Sequence, residues 1–240
     1  MFVSDNLNVN EKGHLTIGGI DTVDLAKEYG TPLYVMDEQV VRKNLRRFHE
    51  SMQKYYGGRG EVHYASKAFS CLEMCRIVAS EGDGLDAVSI GELYTAVKAG
   101  FPMDKVGFHG NNKTNDELEY ALDCGVGHII VDNISELHRL EKIAAEKGVK
   151  ANIMFRIKPG IDAHTHDFVK TGQIDSKFGF ALETGEAFEA VKEAIACENV
   201  SLEGLHCHIG SQIFDIDPFV EAAKVMPVSY RHLTLPTNSR

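Results

Sequence analysis

Glu61-Val62-His63-Tyr64-Ala65-Ser66-Lys67-Ala68 reads as a short strand that ends in a lysine. Side chains alternate along a strand, so Lys67 shares a face with Ala65 and His63, while Val62 and Tyr64 face the other way. If Val62 and Tyr64 pack against covering helices, Lys67 points to the central side of the sheet. An amine in such a place has one common chemical use, attack on an aldehyde to form an imine. The ordinary alternative is a strand-end lysine that reaches water, and the rest of the chain decides between the two.

Outward from this run, short apolar stretches alternate with longer amphipathic ones. Strand-like stretches fall at 33–36, 62–66, 84–87, 106–109, 128–131, 152–157 and 202–208. Helical periodicity fills 37–55, 89–99, 114–123, 135–147 and 183–196. Ser89 followed by Glu92 forms a capping-box signature, and Gly82, Gly100, Gly125 and Gly148 stand where helices should stop. Strand-helix alternation repeated about seven times means a parallel sheet, either a barrel or a doubly wound sheet. No Gly-x-Gly-x-x-Gly follows the first strand, which counts against a dinucleotide fold.

Bulk composition narrows the function classes. The chain has 240 residues, 43% of them hydrophobic, enough for one large domain with a core. Its net charge is −10, from 35 acids and 25 bases, which argues against nucleic acid or an anionic membrane as a partner. Cys71, Cys75, Cys124, Cys197 and Cys207 form no framework pattern and read as reduced thiols of a cytoplasmic protein. The N-terminus shows no basic region followed by an apolar stretch, and no apolar run approaches the ~20 residues of a membrane helix.

In a (β/α)₈ barrel the chemistry sits at the C-terminal ends of the strands. Here those ends carry Lys67, Asp86, His109, Arg156 and His208. Any one of them alone reads as a solvated strand end; together they point to a site. His208-Ile209-Gly210-Ser211-Gln212 follows a strand with a turn in which Gly210 permits close backbone approach and Ser211 can donate to a phosphate oxygen. The stretch 161–180 is a long loop rich in His, Asp, Thr and Gly, a length that in compact domains marks function or disorder. The turn Asn111-Asn112-Lys113 either touches a ligand or caps the next helix.

These segments resemble diaminopimelate decarboxylases, members of the alanine-racemase-like (fold type III) pyridoxal-phosphate enzymes. The resemblance is carried by Gly30-Thr31-Pro32-Leu33-Tyr34-Val35, Tyr64 to Ala68, Asp86 to Leu93, Gly107 to Lys113, His164-Thr165-His166 through Thr171-Gly172 to Lys177-Phe178-Gly179, and His206 to Gln212. It implies an α/β fold, a (β/α)₈ TIM-type barrel with about seven of its eight strands present. It implies pyridoxal 5'-phosphate held on Lys67 as an imine, with His208 stacked on its ring, Ser211 on its phosphate, and Asp86 and Arg156 lining the pocket. Lys67 and His208 are then the catalytic pair. The implied reaction is decarboxylation of meso-2,6-diaminopimelate to L-lysine and CO₂, the last step of lysine biosynthesis, by a homodimeric full-length enzyme.

The match has limits. The family's eighth strand with its Gly-rich phosphate loop, a later Glu-Pro-Gly-Arg segment and a C-terminal β-domain have no counterpart here. The expected layout is therefore an N-terminal segment, 1–32, normally associated with that β-domain, an incomplete barrel over 33–226, and an atypical, non-helical tail over 227–240, foreign or frameshifted. The chain alone is expected to be poorly soluble and nearly inactive. Three rival readings remain: a related basic amino-acid decarboxylase, a non-catalytic pyridoxal-phosphate-binding barrel, and a metal-dependent barrel hydrolase using His206, His208, Asp162, His164 and His166. The last gives Lys67 no role, and no metal is expected.

Overall fold

The computed structural model describes residues 4–161 and 177–234. They fall into two compact units, residues 1–64 with 76–84, and residues 65–75 with 85–240.

In the first unit, β1 (Leu7–Val9), β2 (Leu15–Ile17) and β3 (Ile20–Asp21) form an antiparallel three-stranded sheet. Asp21 ends the sheet and caps α1 (Thr22–Tyr29), its carboxylate accepting from the Val23 amide. Asp37 caps α2 (Glu38–Tyr56) in the same way and also accepts from Asn6 Nδ2 at 2.9 Å. One carboxylate thus ends a helix and ties it to the segment before β1. Arg42 and Arg46 of α2 donate three hydrogen bonds to Glu81, and these hold its carboxyl at about 2.

The stretch 33–36, expected as a strand, forms no regular element and joins no ladder among the described residues, and Tyr34 is fully exposed. Its apolar, β-prone composition is a real signal. A strand exists only where a neighbour meets its backbone donors and acceptors, and composition does not carry that information.

A seven-stranded sheet is formed by β4 (His63–Ala65), β5 (Gly84–Ala87), β6 (Val106–Phe108), β7 (His128–Val131), β8 (Ala151–Lys158), the short β9 (Phe180–Ala181) and β10 (Val200–His206), β6 to β10 lying wholly in the second unit. The strand order is β10-β8-β7-β6-β5-β4, with β9 beside the end of β8. The strand pairs from β5 to β10 are parallel. Helices α3 (Leu72–Glu81), α4 (Ile90–Ala99), α5 (Asn115–Cys124), α6 (Ile134–Lys147) and α7 (Glu186–Ala196) lie between strands in sequence. Parallel strands in chain order separated by helices make a partial TIM-type barrel.

The core is two-faced, as a parallel sheet requires. Phe108, Ile129, Ile153 and Phe155 are sealed in the strands, and Leu93, Leu118, Leu137 and Leu140 in the helices. Each such side chain contributes about 1.5–3 kcal/mol of burial. Thr114 and Glu117 form a full capping box on α5, and Gly100, Gly125 and Gly148 close their helices in the left-handed region. At Gly127 a Cβ would lie 2.0 Å from the Asp104 carbonyl oxygen, so the lead into β7 passes a backbone that only glycine can approach.

The last described helix, α8 (Asp217–Thr234), corrects the expectation of a non-helical tail, because residues 227–234 continue it with Pro227 inside. A proline deletes one backbone donor; the helix formers Ala222, Ala223, Lys224 and Met226 precede it on the same helix. Residues 235–240 lie outside the described residues. No described helix is long and apolar enough to cross a membrane.

Candidate active site

Lys67 is not on a strand. β4 stops at Ala65, and Ser66–Ala68 form a single 3₁₀ turn. Ser66 is buried, with Oγ 2.8 Å from the Asp86 carbonyl oxygen and 2.7 Å from Glu92 Oε2. That anchor turns the chain, so strand alternation does not set the direction of Lys67, whose side chain is exposed. Glu92 is diverted by the same contact. Ser89 Oγ accepts from the Glu92 amide, but the Glu92 carboxylate takes the Val88 amide and the Ser66 hydroxyl, so the expected capping box is half formed.

Asp86, in β5, and His109, just past β6, meet with Oδ1 and Nε2 3.3 Å apart. Gly107 opens that space, since a Cβ there would lie 3.1 Å from Asp86 Oδ1 and 3.4 Å from His109 Nε2. The His109 ring stands edge-on to His206, the last residue of β10, at 4.9 Å between centroids. His206 is driven down to about 3, by burial first and then by the charges of His109 and Arg156, with Asp86 opposing. His208, two residues further, is pushed down to about 4, by burial and then by Arg156, Lys67 and His109. Both imidazoles are therefore neutral near pH 7, and the Lys67 ammonium is among the charges that His208 feels.

Arg156 is buried in β8, its guanidinium 4.3 Å from the Phe178 ring centroid and its Nε 3.8 Å from Asp132 Oδ1. The chain from Ile209 to Ser211 leaves the sheet with Ile209 buried and Ser211 exposed. Gln212 then takes φ 55°, a left-handed conformation uncommon outside glycine and one that gathers at functional loops.

Sequence reasoning missed the layer beneath. Lys113, read as a turn residue, is buried and spends all three ammonium protons, on the Gly110 carbonyl at 2.8 Å, the Ile130 carbonyl at 2.7 Å and Glu136 Oε1 at 2.7 Å. Burial pushes Lys113 down and Glu136 up, and their mutual attraction opposes both shifts. A lysine next to Asn-Asn and a glutamate in a helical first turn look like surface residues, so no local signal marks them. His63, sharing the strand of the opening run, has its ring against Gly84 and Nε2 3.6 Å from Glu61. Asp162, His164, His166 and the 171–176 segment lie outside the described residues. Among the described residues no three metal-binding side chains gather.

Three comparisons bear on this arrangement. The family described as "Pyridoxal-dependent decarboxylase, pyridoxal binding domain" matches residues 40–234. The diaminopimelate decarboxylase of Bacillus methanolicus is 52% identical over 224 residues, covering 93% of this chain and 52% of that protein. That of Bacillus subtilis (strain 168) is 48% identical over 224 residues, covering 93% and 51%. Among solved structures, diaminopimelate decarboxylase from M. jannaschii in complex with L-lysine superposes with a TM-score of 0.86 at 38% identity, covering 95% of this chain and 53% of that one. The Helicobacter pylori enzyme with L-lysine gives 0.82 at 33%, covering 90% and 54%. The chain thus spans about half the length of the relatives it matches.

Proposed function

Since the chain belongs to the pyridoxal-dependent decarboxylases, matching their pyridoxal-binding domain over residues 40–234, we propose that residues 1–240 bind pyridoxal 5'-phosphate through Lys67. For the whole protein we propose decarboxylation of meso-2,6-diaminopimelate to L-lysine, on the 48–52% identity to enzymes of that name. The donor set suits an anionic aromatic aldehyde. It offers an exposed primary amine, a buried guanidinium, a neutral imidazole and an exposed hydroxyl beside Gly210.

The observation that carries the reading is the match to the pyridoxal-binding domain over residues 40–234, with His208 standing just past β10 in the place where a ring would stack. An imidazole held neutral, at about 4, beside the charges of Arg156 and Lys67 keeps an uncharged flat face for an electron-poor ring. Bound pyridoxal phosphate supplies the electron sink for breaking a Cα–carboxylate bond. The chain's own residues do the rest. The Lys67 amine would hold the aldehyde and would be the group of this chain that moves a proton at the reacting carbon. Ser211 Oγ and the Gly210–Ser211 backbone receive the phosphate. Asp86 fixes the His109 ring, and Arg156 adds a guanidinium that stays charged at any working pH. Orientation and electrostatics are the protein's contribution.

The test is borohydride reduction of the 240-residue chain with pyridoxal phosphate, followed by peptide mass mapping. Label on Lys67, lost in Lys67→Ala, is the expected result. Label scattered over surface lysines, or none, overturns the assignment. Substrate-dependent CO₂ release by the whole protein, tried with diaminopimelate, lysine and ornithine, then separates diaminopimelate decarboxylase from a related basic amino-acid decarboxylase and from a non-catalytic carrier. Homodimerisation and a cytoplasmic location belong to the same proposal and are checked by light scattering and fractionation of the whole protein.

A further inference from the structure

Behind the candidate site lies a row of four buried charges that alternate only in pairs. Lys113 lies past the end of β6, Glu136 in the first turn of α6, Asp132 just past β7 and Arg156 in β8. Glu136 bridges the row, since Oε1 accepts from Lys113 Nζ at 2.7 Å and Oε2 from the Asp132 amide at 3.3 Å. The Asp132 carboxylate accepts from the Gly179 amide, while its Oδ1, buried and without a hydrogen bond, stands 3.8 Å from Arg156 Nε. Gly179, at φ 71°, packs so closely that a Cβ would lie 2.5 Å from the Arg156 carbonyl oxygen, and Phe178 covers the guanidinium. Arg156 is therefore held by three segments, and its only anion at ion-pair distance among the described residues, Asp132, is fixed from behind by Glu136.

We propose that the buried Lys113–Glu136 pair, acting through Asp132, is the positioning device that fixes the Arg156 guanidinium at the mouth of the site. A buried ion pair is poor evidence of stabilisation, because an apolar pair of the same volume often serves as well. This pair occurs where four charges must balance. With Glu136 neutral, Asp132 becomes the one anion between two cations and is drawn toward Lys113, away from Arg156. The device rests on the preceding proposal only for the ligand it serves, since the orientation of Arg156 exists without any ligand.

Two readouts keep the two proposals apart. In the unloaded chain, Glu136→Gln should speed hydrogen exchange of the Arg156 Nε proton about tenfold by ¹⁵N NMR, as local opening at that side chain becomes easier. Asp132→Asn, which keeps the shape and removes the intermediate charge, should do the same. A control of matched stability loss, Leu118→Ala in α5, should leave that proton unchanged. Exchange unaltered in both charge variants, or equally fast in the control, overturns the proposal. In the second readout, Glu136→Gln should weaken pyridoxal phosphate binding about tenfold in the parent chain and have no further effect on Arg156→Gln, a coupling that a purely structural role would not produce. Additive losses would also overturn it. Should the parent chain bind no pyridoxal phosphate, the cofactor reading fails and the exchange experiment still decides the positioning role.

Discussion

Replacing His206 by Gln should flatten the acid sensitivity of this chain. The imidazole is driven from 6.5 to about 3, chiefly by burial. On unfolding it recovers its ordinary affinity for a proton. Between those two values the unfolded chain holds a proton that the folded chain refuses, so stability falls as pH falls, starting below about 6.5. At pH 5, some 1.5 units below the free value, the linkage amounts to about 2 kcal/mol at roughly 1.4 kcal/mol per unit. His208, held at about 4, acts in the same direction and by nearly as much down to about pH 5, falling behind only below its own value. Asp132 and Glu136 oppose both. Burial raises them, so the folded chain takes their protons first and gains stability on acidification. The total pH curve mixes these signs, whereas the difference between parent and His206→Gln isolates one group. Urea midpoints measured near pH 7, 6 and 5 should converge by about 2 kcal/mol over that span. Parallel curves would refute the placement of a neutral, half-buried imidazole at the end of β10.

Other perturbations test other parts of the structure. Gly127→Ala puts a Cβ 2.0 Å from the Asp104 carbonyl oxygen, and the urea midpoint should fall by the equivalent of about 1–3 kcal/mol or more. Lys113→Met strands the Glu136 carboxylate in the core and should cost about 3–5 kcal/mol, most of it recovered in Lys113→Met with Glu136→Leu. Thr114→Ala removes one half of the α5 capping box and should cost about 1 kcal/mol, with faster amide exchange confined to the first turn of that helix.

Much of the architecture was legible in the chain because its signals are local. The strand-helix rhythm located β5 and β7 to the residue and β4, β6, β8 and β10 to within one or two, since period 2 and period 3.6 are written in neighbouring residues, while the two- and three-residue strands β1, β2, β3 and β9 are too short to show a period. The stops at Gly100, Gly125 and Gly148 follow from the one residue that enters the left-handed region at no steric cost. The non-helical tail was misread because Pro227 carries more weight in a sequence window than in a helix that has already formed. The 33–36 stretch was misread for the opposite reason, since its composition promised a ladder that needs a partner elsewhere.

The strand order and the turn that carries Lys67 depend on strand pairing and on the Ser66 anchor, whereas the strand-helix rhythm and the places of Asp86, Arg156 and His208 near strand ends could be written down from the chain alone, because periodicity is local. Which of these groups carries charge could not. The neutrality of His206 and His208, the meeting of Asp86 with His109 across Gly107, and the Lys113–Glu136–Asp132–Arg156 row join residues tens of positions apart in surroundings of low polarity. Desolvation and Coulomb energy depend on what stands within a few ångströms in space, and only the folded chain sets those distances.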